Sequence, residues 1–192
     1  MAVLTALLAV SCTSKPLVNT HYDTPAYRAT DKQKVSVKVS LNNSMVYVKE
    51  GARTLLATPT CIGTPSNPTP TGNFRTFNRL PRKRSNTYGF HLHPSGSIVP
   101  GKRSDTPSGA RYVGYPMPYW VEFKPAYGFH AGAVWPSPRT HGCVRIHPNV
   151  APKFFNLVRI GTPVHIATTQ PEDRTIGRNV ARPKDYACLL YT

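Results

Sequence analysis

The residues best suited to chemistry are gathered in Thr140-His141-Gly142-Cys143-Val144-Arg145, with Gly128-Phe129-His130 upstream. A thiol flanked by histidine and glycine, with a second histidine in reach after folding, has the composition of a cysteine nucleophile site. The thiolate is the attacking species, and a cysteine near its ordinary pKa of about 8.5 needs an imidazole, a positive charge or a helix N-terminus to activate it. His130 or His141 can supply the imidazole, and Arg145 stands two residues beyond the thiol. Gly142 lets the backbone come close to a substrate, and adjacent N–H groups can stabilise an oxyanion. Each residue also has a plainer reading. A lone cysteine usually packs as a small buried hydrophobe, and a lone histidine is usually a hydrogen-bonded structural residue. The complete string is more specific than any of its members.

Gly-Phe-His, a short Pro-containing loop and then Thr-His-Gly-Cys-Val-Arg resembles the signature of the L,D-transpeptidases, the YkuD-like family of cell-wall enzymes. Three further stretches extend the likeness: Thr69-Pro70-Thr71-Gly72 before a strand, Met117-Pro118-Tyr119-Trp120 ahead of the histidine, and Gly161-Thr162-Pro163-Val164 at the close. It covers about residues 33 to 168. The resemblance implies acyl transfer at an L,D peptide bond of a peptidoglycan tetrapeptide stem, with Cys143 as nucleophile and His130 as general base. It implies Gly142 and Cys143 N–H groups as oxyanion donors, with Thr140 and His141 shaping the loop and tuning the thiol. Arg145 becomes a binder of a stem carboxylate; apart from the resemblance, His93 is a further candidate for substrate contact. No cofactor and no metal is implied, and Cys143 is expected to react with carbapenem β-lactams. The implied setting is peptidoglycan synthesis, hence cell-wall organisation and cell shape. Twelve residues separate His130 from Cys143, fewer than in many members, which leaves donor and acceptor preference open. Water in place of the amine would make an L,D-carboxypeptidase of the same thiol. A non-catalytic basic wall-binding module is the reading from another class.

The elements that must carry these residues are mostly strands. Val35, Val37 and Val39 alternate with polar residues as in a half-buried strand, Asn42-Asn43 turns, Met45 to Lys49 returns, and Thr54 to Gly63 is a third strand. Thr64 to Gly72 is a proline-rich rigid loop, and Asn73 to Asn78 a strand. Pro118 to Phe123 and Thr162 to Ala167 are two more. After Arg145 the pattern turns helical, with Asn149 placed to cap, Phe154, Leu157 and Val158 as a buried stripe, and Gly161 as the stop. The expected fold is mainly β, a YkuD-like sandwich or barrel-like domain over residues 33–168 with one or two short helices. Residues 94–118, rich in Gly, Pro and Ser, read as a long loop able to form a lid or groove over the thiol.

At 192 residues the chain can bury one good core. Its 24 Lys and Arg against 8 Asp and Glu, a net +16, call for an anionic partner. No helix-turn-helix, zinc-finger or RNA-binding motif accompanies that charge, so nucleic acid is not the expected one. The run Arg79 to Arg84, joined by Lys102-Arg103, reads as a solvated loop or as a site of attraction to polyanionic wall or membrane. His91 and His93 share one strand face, as in some zinc sites, but no carboxylate or second Cys-x-x-Cys supports a metal centre.

The first residues, Met1 to Val10, are apolar and too short to span a membrane as a helix. They read as the apolar region of an export signal, and Ala9-Val10-Ser11-Cys12 looks like a bacterial lipobox in which Cys12 would be lipidated. Residues 13–32 read as a linker and 169–192 as a polar tail outside the core. In an oxidising compartment Cys61 and Cys188 can pair, or both can remain free thiols. The expected setting is the bacterial cell envelope, with the protein periplasmic or membrane-anchored and monomeric.

Overall fold

The computed structural model describes residues 21–184. Its strands are β1 (Val35–Ser40), β2 (Met45–Glu50), β3 (Arg53–Cys61), β4 (Gly72–Arg75), β5 (Asn78–Leu80), β6 (Arg84–Leu92), β7 (Ile98–Lys102), β8 (Arg111–Pro116), β9 (Trp120–Lys124), β10 (Tyr127–Ala131) and β11 (Val144–Ile146). One α-helix, α1 (Ala151–Leu157), and β12 (Pro163–Ala167) complete the set. Nine strands form one sheet in the order β4-β12-β1-β2-β3-β11-β10-β9-β5. Its two edge strands, β4 and β5, are neighbours in sequence with only Thr76 and Phe77 between them, so the sheet must curl until its edges approach. The Phe74 and Phe123 rings, from β4 and β9, meet inside the curl with centroids 5.3 Å apart. The fold is therefore mainly β and barrel-like.

Period-two alternation decides what faces the interior. Val35, Val37 and Val39 of β1, Val46 and Val48 of β2, Val121 and Phe123 of β9, Phe129 and Ala131 of β10, and Val144 and Ile146 of β11 are all buried in one core. Phe154 of α1 packs on Phe129 at 4.7 Å, closing that core. The intervening residues of β9, β10 and β11, namely Trp120, Glu122, Gly128, His130 and Arg145, with Cys143 just before β11, must then share the opposite face.

Four expectations need revision. Residues 94–118 are not one loop: β7 and β8 flank β6 in a second, three-stranded sheet inserted between β5 and β9. Its glycines, which read as loop signals, are close-packing sites. A Cβ on Gly114 would collide with the Ser85 carbonyl, and one on Gly101 with the His91 ring. Asn149 does not cap α1; its side chain donates to the Tyr22 carbonyl at 2.8 Å, and the helix starts after a turn in which Val150 and Ala151 N–H both reach the His147 carbonyl.

The described parts of the two flanking segments, residues 21–32 and 169–184, are packed rather than loose. Tyr22 and Thr24 are buried, and Ala26 bridges to Leu56. After Thr168, Glu172 is buried and pairs with Lys38 at 2.8 Å and Lys49 at 3.6 Å. Asp173 accepts from Tyr47 Oη at 2.7 Å and Ser40 Oγ at 2.7 Å, and burial together with this bond pushes the Tyr47 phenol pKa upward. Tyr22 and Ala26 join the main core, whereas polar side chains do most of the docking after Thr168, where hydrophobic period could not reveal it.

The Arg79–Arg84 run is not uniformly solvated either. Arg79 lies in β5, half-buried, with its guanidinium 4.0 Å above the Phe155 ring and bonded to the Phe155 carbonyl. Arg82 and Arg84 stay exposed. Cys61 is a buried free thiol whose Sγ lies 3.5 Å from the Ser137 carbonyl. The expected lipidation residue Cys12, the apolar start and Cys188 lie outside the described residues. Among the described residues, no helix is long and apolar enough to cross a membrane.

Candidate active site

β10 and β11 run parallel with Phe129 opposite Val144 and His130 opposite Arg145, which sets Gly128 beside Cys143. His130 and Cys143, separated in sequence by a loop, thus share one face of neighbouring strands, two register positions apart. The antiparallel neighbour β9 adds Glu122 opposite Gly128, with a register shift between Tyr127 and Gly128.

His130 is buried, 7% exposed. Its Nδ1 lies 2.9 Å from the Ala131 carbonyl. An oxygen can only accept, so Nδ1 carries the proton and the Nε2 lone pair is left for the cleft. Burial, helped by the positive charge of Arg145, lowers the His130 pKa to about 4, so the ring is a neutral base at physiological pH. Burial pushes the Cys143 thiol above its ordinary value, while the Gly128 N–H bonded to the sulfur and the charges of Arg145 and Lys83 pull the other way. The S–H points to the Ala126 carbonyl at 3.8 Å. The resting state is therefore a neutral thiol beside a neutral imidazole. Such a pair can pass a proton as the sulfur attacks a carbonyl, rather than storing a thiolate beforehand.

The loop that carries the thiol is tied down from two sides. Thr140, 3% exposed, donates through Oγ1 to the Cys143 carbonyl at 2.6 Å and accepts from the Gly142 N–H at 3.2 Å. This corrects one expectation, because the Gly142 N–H is spent on Thr140 and only the Cys143 N–H of the expected donor pair is left to meet an oxyanion. Gly142 sits at φ 100°, and a Cβ there would collide with the Tyr127 ring, so glycine is required twice over.

Thr69, which no motif marked as functional, holds the other side. Its Oγ1 donates to the Gly142 carbonyl at 3.0 Å and accepts from the Gly63 N–H at 2.9 Å. In a trans peptide the carbonyl and the following N–H point in opposite directions. Fixing the Gly142 carbonyl therefore aims the Cys143 N–H. Thr69→Val keeps the shape but strands two buried backbone groups. Urea unfolding should show a loss of about 1–3 kcal/mol, and thiol acylation should slow by about tenfold, with Thr69→Ser restoring most of both.

The other expected residues are placed as follows. Arg145 shares the face with the thiol, and its Nη1 lies 3.3 Å from the Ala133 carbonyl. His141 is exposed but stacked on Tyr88 of β6, centroids 4.0 Å apart at 16°, and this contact joins the three-stranded sheet to the thiol loop. His93 lies beyond the opposite end of β6, in a turn closed by its N–H on the Ser97 carbonyl. Five residues of strand from Tyr88 place it about 16 Å from that contact, and the structure does not bring it to the thiol. His91 is buried in the small sheet with Nε2 2.8 Å from the Lys102 carbonyl. Sequence reasoning also missed Tyr88, Lys83, whose Nζ lies 5.1 Å above the Trp120 ring, and Glu122.

Residues 34–166 match the family model of the YkuD L,D-transpeptidase catalytic domain, well over half of the chain. The chain belongs to that family. Solved L,D-transpeptidases share the fold. One from Mycobacterium smegmatis is 18% identical with a TM-score of 0.54, over 70% of this chain and 58% of that one. One from Stackebrandtia nassauensis is 19% identical with a TM-score of 0.53, over 76% and 60%. One from Enterococcus faecium is 24% identical with a TM-score of 0.50, over 70% and 50%. This L,D-transpeptidase domain thus spans half to three fifths of the length of those chains. No curated protein matches the sequence. Within the family domain, the thiol and the neutral imidazole share the face of β10 and β11 turned away from the core, and the three-stranded sheet touches the thiol loop through Tyr88.

Proposed function

We propose that this domain is a cell-wall L,D-transpeptidase acting on peptidoglycan tetrapeptide stems. The observation that carries the reading is the Cys143 thiol on one sheet face with a His130 ring whose Nδ1 proton is committed to the Ala131 carbonyl. Cys143 Sγ attacks the carbonyl of the third stem residue as His130 Nε2 takes the thiol proton. The Cys143 N–H faces the developing oxyanion. The peptide bond to the terminal D-alanine breaks, the His130 proton passes to the leaving amine, and a thioester remains. An amine of a second stem, or of a protein lysine, then displaces the sulfur to form an amide. Arg145 and Lys83 favour an anionic donor at the thiol. The protein works in the cell envelope, where its +16 charge suits anionic polymers and surfaces.

Incubation with tetrapeptide-stem muropeptides followed by mass spectrometry tests this. Dimers linked between third residues, formed by the wild type and absent with Cys143→Ala, are the expected products. Tripeptide stems without dimers would make the domain a carboxypeptidase. Unchanged stems with both proteins would contradict the enzyme reading and favour a wall-binding module.

A further inference from the structure

Glu122 is a carboxylate built into a strongly basic protein at the edge of its thiol site. It stands opposite Gly128 in the β9–β10 pairing, on the site face of the sheet. Asn78 Nδ2 at 3.0 Å and Trp120 Nε1 at 3.2 Å donate to Oε2, and the Ala126 N–H donates to Oε1 at 3.0 Å. The carbonyl of the same Ala126 is the one that the Cys143 thiol faces at 3.8 Å. A single residue therefore links the carboxylate to the sulfur. A carboxylate offers about four acceptor positions. Three are filled, and the open one is on Oε1, the oxygen beside Ala126.

The three donors keep this group charged. Burial works against its ionised form, yet the bonds from Asn78, Trp120 and Ala126 hold the carboxyl below its ordinary range. Its charge also opposes ionisation of Cys143, so it does nothing for activation of the thiol. Holding the Ala126 turn, at φ 66°, explains one of its bonds but not a full negative charge next to the nucleophile. Arg145 and Lys83 act on the thiol from the other sign. In the acyl-enzyme, as in the resting thiol, the sulfur carries no charge and Glu122 is a negative group of this site, and an ammonium approaching a +16 protein needs one.

We propose that Glu122 is an acceptor-recognition residue that binds the ammonium of an incoming primary amine through the open position on Oε1 and so favours aminolysis of the Cys143 thioester over hydrolysis. This rests on the acyl-transfer reading above. The bound ammonium loses one proton to solvent, and the neutral His130 ring relays the second as the nitrogen attacks. The nitrogen attacks the thioester carbon and the C–S bond breaks. The second proton that the nitrogen sheds ends on the departing Cys143 sulfur. The products are an amide, the free thiol and one released proton.

The test is the partition of one preformed acyl-enzyme between water and added amine, which does not depend on how fast that acyl-enzyme forms. At about pH 8 a lysine-type amine, with a pKa near 10.4, is an ammonium, whereas hydroxylamine is neutral. Glu122→Gln is expected to lower the aminolysis-to-hydrolysis ratio for the lysine-type amine by about tenfold and to leave the hydroxylamine ratio unchanged. An unchanged ratio for the cationic amine, or an equal fall for both, would overturn the proposal and leave Glu122 a holder of the turn. If the variant yields no folded protein, the wild type decides. Aminolysis that saturates with the cationic amine but stays linear in hydroxylamine supports the proposal, and linearity in both overturns it. A wild type that forms no acyl-enzyme at all sinks the acyl-transfer reading itself, an outcome distinct from either.

Discussion

Replacing Cys143 with alanine should abolish formation of any acyl-enzyme and lower the rate of stem cross-linking by about 10⁴-fold or more. Among the described residues, nothing else on the site face can substitute for the sulfur. His130 is held by the Ala131 carbonyl, Thr140 Oγ1 is committed to the Cys143 carbonyl, and Cys61 is buried against the Ser137 carbonyl. The variant should fold as the wild type does, since the sulfur makes only weak contacts, with the Ala126 carbonyl at 3.8 Å and with the Gly128 N–H. Chromatographic assay of muropeptide products, with thermal melting as the folding control, checks both statements. Residual cross-linking near the wild-type rate would place the nucleophile elsewhere.

Glutamine in place of His130 should slow acylation by about 10²–10⁴-fold, because a neutral thiol then has no base to receive its proton. The resting pair is not an ion pair: burial holds the imidazole pKa down to about 4 and pushes the thiol upward. Raising the pH should therefore recover part of the lost rate by ionising the thiol directly, which stopped-flow acylation by a carbapenem can follow.

The same burial gives a stability signature. The folded-state pKa of about 4 lies below the ordinary histidine value, so between the two the unfolded chain binds a proton that the folded chain refuses. Stability is complete above about pH 6.5 and falls as the pH drops toward 4, by on the order of 3 kcal/mol from this one group. Denaturant titrations at a series of pH values should show a shallower acid-side fall in His130→Gln than in the wild type.

What the sequence made legible follows from which interactions are local. Alternation in Val35, Val37 and Val39 revealed β1, since one face of that strand meets the core. The nearness of His130 to Cys143 was readable from a family signature, and parallel pairing of β10 with β11 is its physical cause. The small sheet was hidden because Gly101 and Gly114, which permit close approach of neighbours, look in sequence like loop residues. Thr69 and Glu122 act across pairings of distant strands, and no spacing in the chain announces that an oxygen 73 residues away will take the Thr69 hydroxyl. Asn149 looked like a helix cap because its type and place are right, but the Tyr22 carbonyl claimed its side chain.

The most direct measurement is peptide mapping by mass spectrometry of the protein quenched during turnover of a tetrapeptide-stem substrate. The expected result is a tripeptide-stem acyl group, the donor less its terminal alanine, on the peptide containing Cys143 and absent from Cys143→Ala. Turnover with that peptide unmodified, or with the acyl group on another residue, would contradict a thioester at Cys143.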